Sequence, residues 1–399
     1  MPKLHSDLPC AILADDLTGA ADAGLPFAKR GYATTIWFAE NQEADTTDVH
    51  VYNTASRRDS PELAAAKVHR FCDSLKASKY PLIFKKLDST LLGNLAAEIE
   101  AAMEALGFEV ALIAPAFPAM GRTLVDGRLR LFGESTDPPQ FLPELLREQG
   151  ASGVAQVGLD VLKHGVETVT ENLIQLVSQG ARLLVFDSIS QEDLRGIVQA
   201  AELLEARTLL AGSGALAGEI AVNMPFVPAS ERTVSEQTDM PGRLLLVIGS
   251  GNPVTERQIN RLLLLRPVVP LEPGTIGDIG SLSEGNHILL RVELGKRFEH
   301  FAATFAALLD SSLRGIVLSG GDTAEAVARR LNAEGIKLGG EIVPGVPWGQ
   351  FIGGRAAGLL VATKSGGFGA DESLVKAVDF LDYQSKYFGR QGQKVTEIL

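Results

Sequence analysis

The sequence predicts an α/β protein of two domains, each a mostly parallel sheet flanked by helices. Three observations carry this expectation. The chain has 399 residues, more than one hydrophobic core usually serves. Short β-rich apolar runs alternate with Ala/Leu/Glu-rich stretches, the pattern of strand–helix–strand units. The stretch "MPFVPASERTVSEQTDMPG" (224–242) is polar, proline-bearing and without period, and the alternation restarts beyond it. It reads as an interdomain linker, which gives expected domains of 1–235 and 240–399.

The elements follow in order. "AILA" (11–14) is a strand, and a helix runs from it to Arg30, closed by Gly31. Pro26 inside that helix is expected to kink it or to start a new segment. "ATTIWF" (33–38) and "VHVY" (49–52) are the next strands. Ser60-Pro61-Glu62 is a helix start, with a capping hydroxyl, a proline in the first turn and an acid at the positive end. "PLIFKK" (81–86) and "VALIAPAF" (110–117) are strands on either side of the helical "GNLAAEIEAAMEAL". The strand "RLLVFDS" (182–188), the helix "QEDLRGIVQAAELLE" and "TLLAGSGALAGEIA" complete the first half. The second half reads as "RLLLVIGSGN", a helix near 254–265, "HILLRV" and a helix near 296–310. Then come "GIVLSGGDTAEAVARRL", "GLLVATKSGGFG" and a last helix near 371–384.

Composition excludes several classes. A formal charge of −12 opposes a nucleic-acid partner, because a polyanion would be repelled at long range. Two cysteines, Cys10 and Cys72, support neither a disulfide scaffold nor a Cys-rich zinc site. The start lacks the basic-then-apolar layout of a signal peptide, and "RLLLLRPVVP" is broken by arginines and prolines, so a cytoplasmic protein without a membrane span is expected. His5, His50, His69, His164, His287 and His300 are scattered without metal-like spacing and read as structural or exposed. Walker-type, G-x-G-x-x-G, G-x-S-x-G and protein-kinase signatures are all missing, which weakens dehydrogenase and serine-hydrolase readings.

In an open parallel sheet, ligands bind at the carboxyl ends of the strands. The chemically odd stretches fall at those ends. In the first half they are Asp15-Asp16, "NTASRR" (53–58), "KKLDSTLLGN" (85–94) and "PAFPAMGRT" (115–123). Carboxylates of the first and third, with Arg57, Lys85, Lys86 and Arg122, suit a small polyhydroxylated anion: cations for its acid group, carboxylates for its hydroxyls. In the second half the odd stretches are glycine clusters, "VIGSGN" (247–252), "LSGGDTA" (318–324) and "TKSGGFGA" (363–370). Glycines let main-chain amides approach an anion, and a helix N-terminus adds partial positive charge. Each feature also has a plain alternative. An Asp-Asp pair can be a turn or a helix cap, a Gly-Gly a tight turn, a Lys-Lys an exposed face, and "LDST" a helix start. Their shared location at one sheet edge favours the functional reading.

Taken together, "ADDLTGAADAG", "KKLDSTLLGN", "APAFPAMGRT", "GGDTA" and "TKSGGFG", in this order, resemble the four-carbon acid sugar kinase family. The resemblance implies a sugar-acid-binding N-terminal domain and a nucleotide-binding C-terminal domain, with the active site in the interdomain cleft. It also implies ATP-dependent phosphorylation of the terminal hydroxyl of a four-carbon aldonic acid. The "KK-DST" pattern is more similar to D-threonate or D-erythronate kinases than to 3-oxo-tetronate kinases. One departure stands out: relatives commonly carry arginine where this chain has Leu92. A 3-oxo-tetronate kinase, or a non-catalytic sugar-acid sensor on the same fold, are the alternative readings. On the kinase reading Arg57, Lys85, Lys86, Ser89 and Arg122 hold the acid, and one of Asp15, Asp16 and Asp88 takes the proton, with Asp16 favoured as base. ATP is expected against Ser250, Gly320, Gly321, Asp322, Thr323, Gly366, Gly367, Phe368 and Gly369. Mg²⁺ is expected on its phosphates and water rather than on protein ligands. Oligomeric state is left open.

Overall fold

The expected strand–helix alternation organises the computed structural model, which describes residues 10–40, 47–75, 80–226, 242–271, 286–292, 304–306, 308–309 and 313–387. The chain divides into two compact units, Met1–Val227 and Pro228–Leu399. Most of the expected linker (227–241) and most of the helix expected near 296–310 lie outside the described residues, as do His5 and His300. Residues 304–306 and 308–309 are helical.

The first unit contains β1 (Cys10–Ala14), β2 (Thr34–Trp37), β3 (Val49–Asn53), β4 (Leu82–Lys86), β5 (Val110–Ala114), β6 (Arg122–Val125), β7 (Arg128–Leu131), β8 (Glu134–Ser135), β9 (Val154–Val157), β10 (Leu183–Phe186) and β11 (Thr208–Gly212). Eight of them form a sheet in the order β2-β3-β1-β4-β11-β5-β10-β9, and every pairing is parallel. Strands such as "CAILA" and "VALIA" are buried along their whole length, as a sheet covered by helices on both faces requires.

Register, more than order, matters for function. Ala14 pairs with Asn53 and with Lys86, Lys86 with Gly212, and Gly212 with Ala114. The carboxyl ends of β3, β1, β4, β11 and β5 are therefore level, and the loops that follow them emerge side by side. Gly212 is needed here, because a Cβ would collide with the Ala114 carbonyl and lie 2.7 Å from Leu216 Cδ2.

The helices confirm some local signals and modify others. Ser60 caps the helix Pro61–Ser74 with Glu62 in its first turn, as the sequence indicates. The helix Leu17–Lys29 runs through Pro26 without a break, held by a face on which Leu25, Phe27 and Ala28 are buried. Tertiary packing thus offsets the main-chain bond that proline forfeits.

The antiparallel β6-β7-β8 sheet is absent from the sequence reading. Its two turns, Asp126-Gly127 and Phe132-Gly133, have positive φ at both residues (50° and 69°, 52° and 89°). That is the twist a two-residue hairpin requires, and Asp-Gly is its usual sequence sign.

The second unit contains β12 (Arg243–Ile248), β13 (Val268–Leu271), β14 (His287–Arg291), β15 (Leu313–Ser319), β16 (Gly335–Val343), β17 (Val346–Ile352) and β18 (Leu360–Lys364). Their order is β13-β14-β12-β15-β18-β17-β16. The first five strands are parallel, whereas β17 runs antiparallel to both neighbours. Ile248 pairs with Ser319, and Ser319 with Lys364, so three glycine-bearing loops leave the sheet at one level. The helices Pro253–Leu265 and Ser373–Tyr387 pack on the Leu246, Val317 and Ala362 face of this sheet. Among the described residues no helix is long and apolar enough to cross a membrane.

Gly212→Ala should cost about 1–3 kcal/mol, because the added methyl has no room between two strand ends. Urea denaturation of the full chain measures it, and an unchanged midpoint would show that the β5–β11 edge can yield.

Candidate active site

Asp15 and Asp16 lie where β1 gives way to the helix Leu17–Lys29. Asp16 is that helix's N-cap: its carboxylate accepts from the Gly19 amide at 2.8 Å and from the Thr18 hydroxyl. The plain reading of the pair as a cap is therefore half right. Asp15 is buried and does something else. It receives Arg57 through two bonds, Nε at 2.7 Å and Nη2 at 2.8 Å. Such a two-pronged pair is the strongest common ion-pair geometry.

Arg57 gathers three carboxylates. Its Nη2 also lies 2.7 Å from Asp16, and its Nη1 3.4 Å from Asp88. The loop that carries it is pinned to β1 by Thr54 N on the Ala14 carbonyl (2.8 Å) and Ser56 N on the Asp15 carbonyl (3.0 Å). Ala55 in that loop and Leu91 in the "DSTLLGN" loop have φ of 49° and 63°, costly for residues with a side chain. Asn94 ties the two loops together through the Ser56 and Asp59 carbonyls.

The two lysines at the end of β4 have different partners. Lys85 is fully buried and forms a 2.8 Å ion pair with Glu98, which also accepts from the Ser56 hydroxyl at 2.7 Å. It faces the helix Leu95–Leu106, so it supports the Arg57 loop from below. Lys86 is almost as buried, donates to the Leu87 carbonyl at 2.8 Å, and lies 3.9 Å from Asp22. Neither is an exposed surface lysine. Across the edge, Phe117 N bonds to the Arg122 carbonyl at the start of β6, and Arg122 donates to the Ser89 hydroxyl.

The charges shift one another in a readable way. Burial raises the Asp16 carboxyl, aided by Asp15 and opposed by Arg57, Thr18 and Lys86. Burial also acts on Asp88, but Arg57, Lys86 and bonds from Thr90 outweigh it and hold that carboxyl low. Burial works against the Arg57 cation, yet Asp16, Asp15 and Asp88 more than compensate and raise it. Burial weakens Arg122, against the pull of Asp88 and Asp22. Burial also raises Glu98, with Lys85 as its main counterweight.

Two site residues escape the sequence reading. Glu98 is one, hidden because a glutamate in a helical stretch reads as solvated. Asp22 is the other, one helical turn beyond Gly19 and visible in "ADDLTGAADAG" as a third acid. Burial raises its carboxyl against Lys86 and Arg122. It sits at the start of the helix Gly214–Asn223, where a Cβ on Gly214 would strike it. Asp15, Asp16, Asp22, Asp88, Arg57, Lys86, Ser89 and Arg122 thus form one cluster, while Lys85 stands behind it.

In the second unit the three loops interlock. A Cβ on Gly249 would strike Thr323 Oγ1, and one on Gly366 would strike Ser250 Oγ. Gly320, with φ of 104°, precedes the helix Gly321–Arg330 and offers its first turn no side-chain cap. That leaves amide donors for an anion, with Asp322 and Thr323 beside them. The Phe368 ring is buried against the Gly345 turn, so this residue takes part through its main chain: its carbonyl accepts from Lys364 and Gln258. Thr255, Gln258 and Lys364, all buried behind the loops, were not among the sequence candidates. Among the described residues, no group of three or more His, Cys, Asp or Glu is arranged for a metal ion. His50 and His287 are buried, bonded to Trp37 Nε1 and to Leu244 N respectively.

Residues 10–220 match the family described as "Sugar-binding N-terminal domain", and residues 281–374 that described as "Nucleotide-binding C-terminal domain". The chain is 30% identical to a D-threonate kinase of Salmonella typhimurium, across 93% of this chain and 98% of that one. It belongs to the four-carbon acid sugar kinase family. Other members are a D-erythronate kinase of Heliobacterium modesticaldum (26% identical, 93% and 96% covered) and a 3-oxo-tetronate kinase of Pseudomonas fluorescens (28%, 92% and 95%). A solved Salmonella typhimurium protein shares the fold, with a TM-score of 0.75 at 23% identity over 93% of this chain and 99% of that one.

The buried Lys85–Glu98 pair should be stringent. Glu98→Ala strands a buried ammonium and should cost about 3–5 kcal/mol, while Lys85→Met with Glu98→Leu should cost much less. Equal losses in both variants, measured by denaturant unfolding, would contradict the pairing.

Asp22 should behave in the opposite way. Its folded pKa lies above the unfolded value, so its ionised form opposes folding at neutral pH. That cost disappears as pH falls through the folded pKa toward the unfolded one. Asp22→Asn should therefore gain up to about 1 kcal/mol at pH 7, and the gain should vanish near pH 4. A loss at pH 7 would show that Asp22 is satisfied by its cationic neighbours.

Proposed function

We propose that this chain is an ATP-dependent kinase that phosphorylates the terminal (4-) hydroxyl of D-threonate or D-erythronate. One observation carries the reading. A partly accessible cluster of acids and cations ends five level strands in one unit, and glycine loops end three level strands in the other. The names of the relatives support the same reaction class.

In this reading the region 1–235 binds the sugar acid and 240–399 binds the nucleotide. Arg122, Ser89 and Lys86 receive the substrate carboxylate, two cations and a hydroxyl that meet at one edge of the acid cluster. Arg57 holds Asp15, Asp16 and Asp88 in place, and Lys85 supports that loop through Glu98 and Ser56. Asp16 accepts the proton of the attacking hydroxyl. Its raised pKa makes it a stronger base than Asp88, and it is less enclosed than Asp15 (12% against 4% side-chain exposure). Asp15 and Asp88 orient substrate hydroxyls. Ser250, Gly320, Gly321, Asp322, Thr323 and the Gly366–Gly369 loop hold ATP through main-chain amides and hydroxyls. The bound triphosphate with its Mg²⁺ supplies the phosphoryl group. The protein positions donor and acceptor and spreads negative charge. Transfer requires the attacking hydroxyl and the terminal phosphate to meet with water excluded.

Leu92 favours a second reading. It is 55% exposed in the "DSTLLGN" loop where relatives commonly carry arginine, which removes a cation beside the acid cluster. The preferred acid is then a less common one, such as 3-oxo-tetronate, or the chain is a sensor that binds the acid without turnover.

Coupled ADP release across a panel of four-carbon acids separates these readings. D-threonate or D-erythronate should be turned over fastest; acid binding without ADP formation would support the sensor and end the kinase proposal. Asp16→Asn should lower kcat by about 10²–10⁴-fold while calorimetry still detects the acid. Unchanged kcat would remove Asp16 from the base role.

A further inference from the structure

Lys364 closes β18 and is only 1% exposed. Its ammonium donates to the carbonyls of Ser365 (2.9 Å), Gly366 (3.1 Å) and Phe368 (3.3 Å), and to Thr255 Oγ1 (3.2 Å). Among the described residues it is paired with no carboxylate. An ammonium buried without an acid is costly and is retained only where something needs it.

What it holds is the glycine loop. Beside it, Gln258 Nε2 donates to the carbonyls of Phe368 (3.1 Å), Gly369 (3.1 Å) and Ala370 (2.9 Å). The carbonyls of residues 365, 366, 368, 369 and 370 are thus drawn inward by one ammonium and one amide. No described group accepts from the amides of Gly366, Gly367 or Gly369. Peptide dipoles whose negative ends are neutralised from behind leave their positive ends for an anion, as in a main-chain phosphate cradle. All of the ammonium's hydrogens are used by the protein, so Lys364 itself has none left for a phosphate.

We propose that Lys364 is a positioning residue for nucleotide binding, holding the Ser365–Ala370 loop in its phosphate-receiving shape. The proposal rests on the reading of the second unit as the nucleotide site.

A consequence is pH dependence in the alkaline range. Burial alone pushes the Lys364 pKa down to about 8. The charged groups of the surrounding elements are engaged elsewhere: Glu256 with Arg291, Arg257 with Asp371, and Arg261 with Glu372, all at the surface. Asp322 begins the neighbouring helix, and Lys376 and Asp379 lie on the helix Ser373–Tyr387; none of them contributes to the shift. Above this pKa the lysine loses a donor and its charge, and the loop loses its anchor. The effect on folding has the opposite sign. A lysine whose folded pKa lies below the unfolded value costs stability while charged, and that cost falls as pH rises through the folded pKa.

The test is calorimetric titration of the full chain with ADP in Mg²⁺ buffer from pH 7.5 to 9.5, where the terminal phosphate is already ionised. Affinity should fall by about tenfold with a midpoint near 8, while thermal stability does not fall in step. Lys364→Arg should flatten the profile, and Lys364→Met should bind ADP at least about tenfold more weakly at pH 7.5 while melting cooperatively. A pH-independent affinity in the unmutated chain overturns the proposal even if Lys364→Met fails to fold. Failure of the unmutated chain to bind ADP at any pH, with sugar acid still bound, overturns the nucleotide reading itself.

Discussion

The acid cluster depends on Arg57. Parallel register sets the ends of β1, β3 and β4 level, so Asp15, Asp16 and Asp88 emerge together whatever their charges prefer. Two unit charges 4 Å apart near a protein surface interact by about 4 kcal/mol, and for carboxylates this is repulsion. One guanidinium that reaches all three makes the arrangement tolerable. Its loop is held in turn by main-chain bonds to β1, by Asn94, and by the Lys85–Glu98–Ser56 chain beneath. The site is therefore a stack of dependencies. An accessible layer of acids and cations rests on Arg57, and Arg57 rests on a buried ion pair.

The two units solve related problems with different materials. In the first, charged side chains crowd the strand ends, and their pKa values diverge because neighbours differ: Asp16 is raised and Asp88 lowered although both lie near Arg57. Such divergence within one cluster is what acid–base chemistry at neutral pH requires. In the second, main-chain groups dominate. Hydroxyls of Thr323 and Ser250 occupy the space that side chains on Gly249 and Gly366 would need, so the glycines are demanded by close approach as well as by turn geometry. Strain accompanies the first. Ala55 and Leu91 adopt positive φ in its loops, a conformation costly for residues with a side chain.

Much was legible in the sequence because the signals are local. Apolar runs bounded by turn residues located most strands, and the order of polar oddities after them placed Asp15, Asp16, Arg57, Asp88, Ser89 and Arg122 at one edge. The β6-β7-β8 sheet was not read, since its strands are too short to show alternation, and only Asp126-Gly127 marks a hairpin. The β16–β17 antiparallel pair was missed for a different reason: glycines interrupt β16, and Pro347 and Gly349 interrupt β17.

The sequence by itself determined the fold class, the family and the residue types brought to each strand end, because periodicity and motif order are written in neighbouring residues. Only the tertiary structure decided which charge meets which. Lys85 and Lys86 are adjacent in sequence, yet one is spent on Glu98 and the other lies beside Asp22. Lys364 reads as one more cation before a glycine run, yet it is buried beneath that run with no carboxylate partner among the described residues. Those distinctions depend on which way a side chain points from a pleated strand and on what a helix distant in sequence places against it. No spacing along the chain records either.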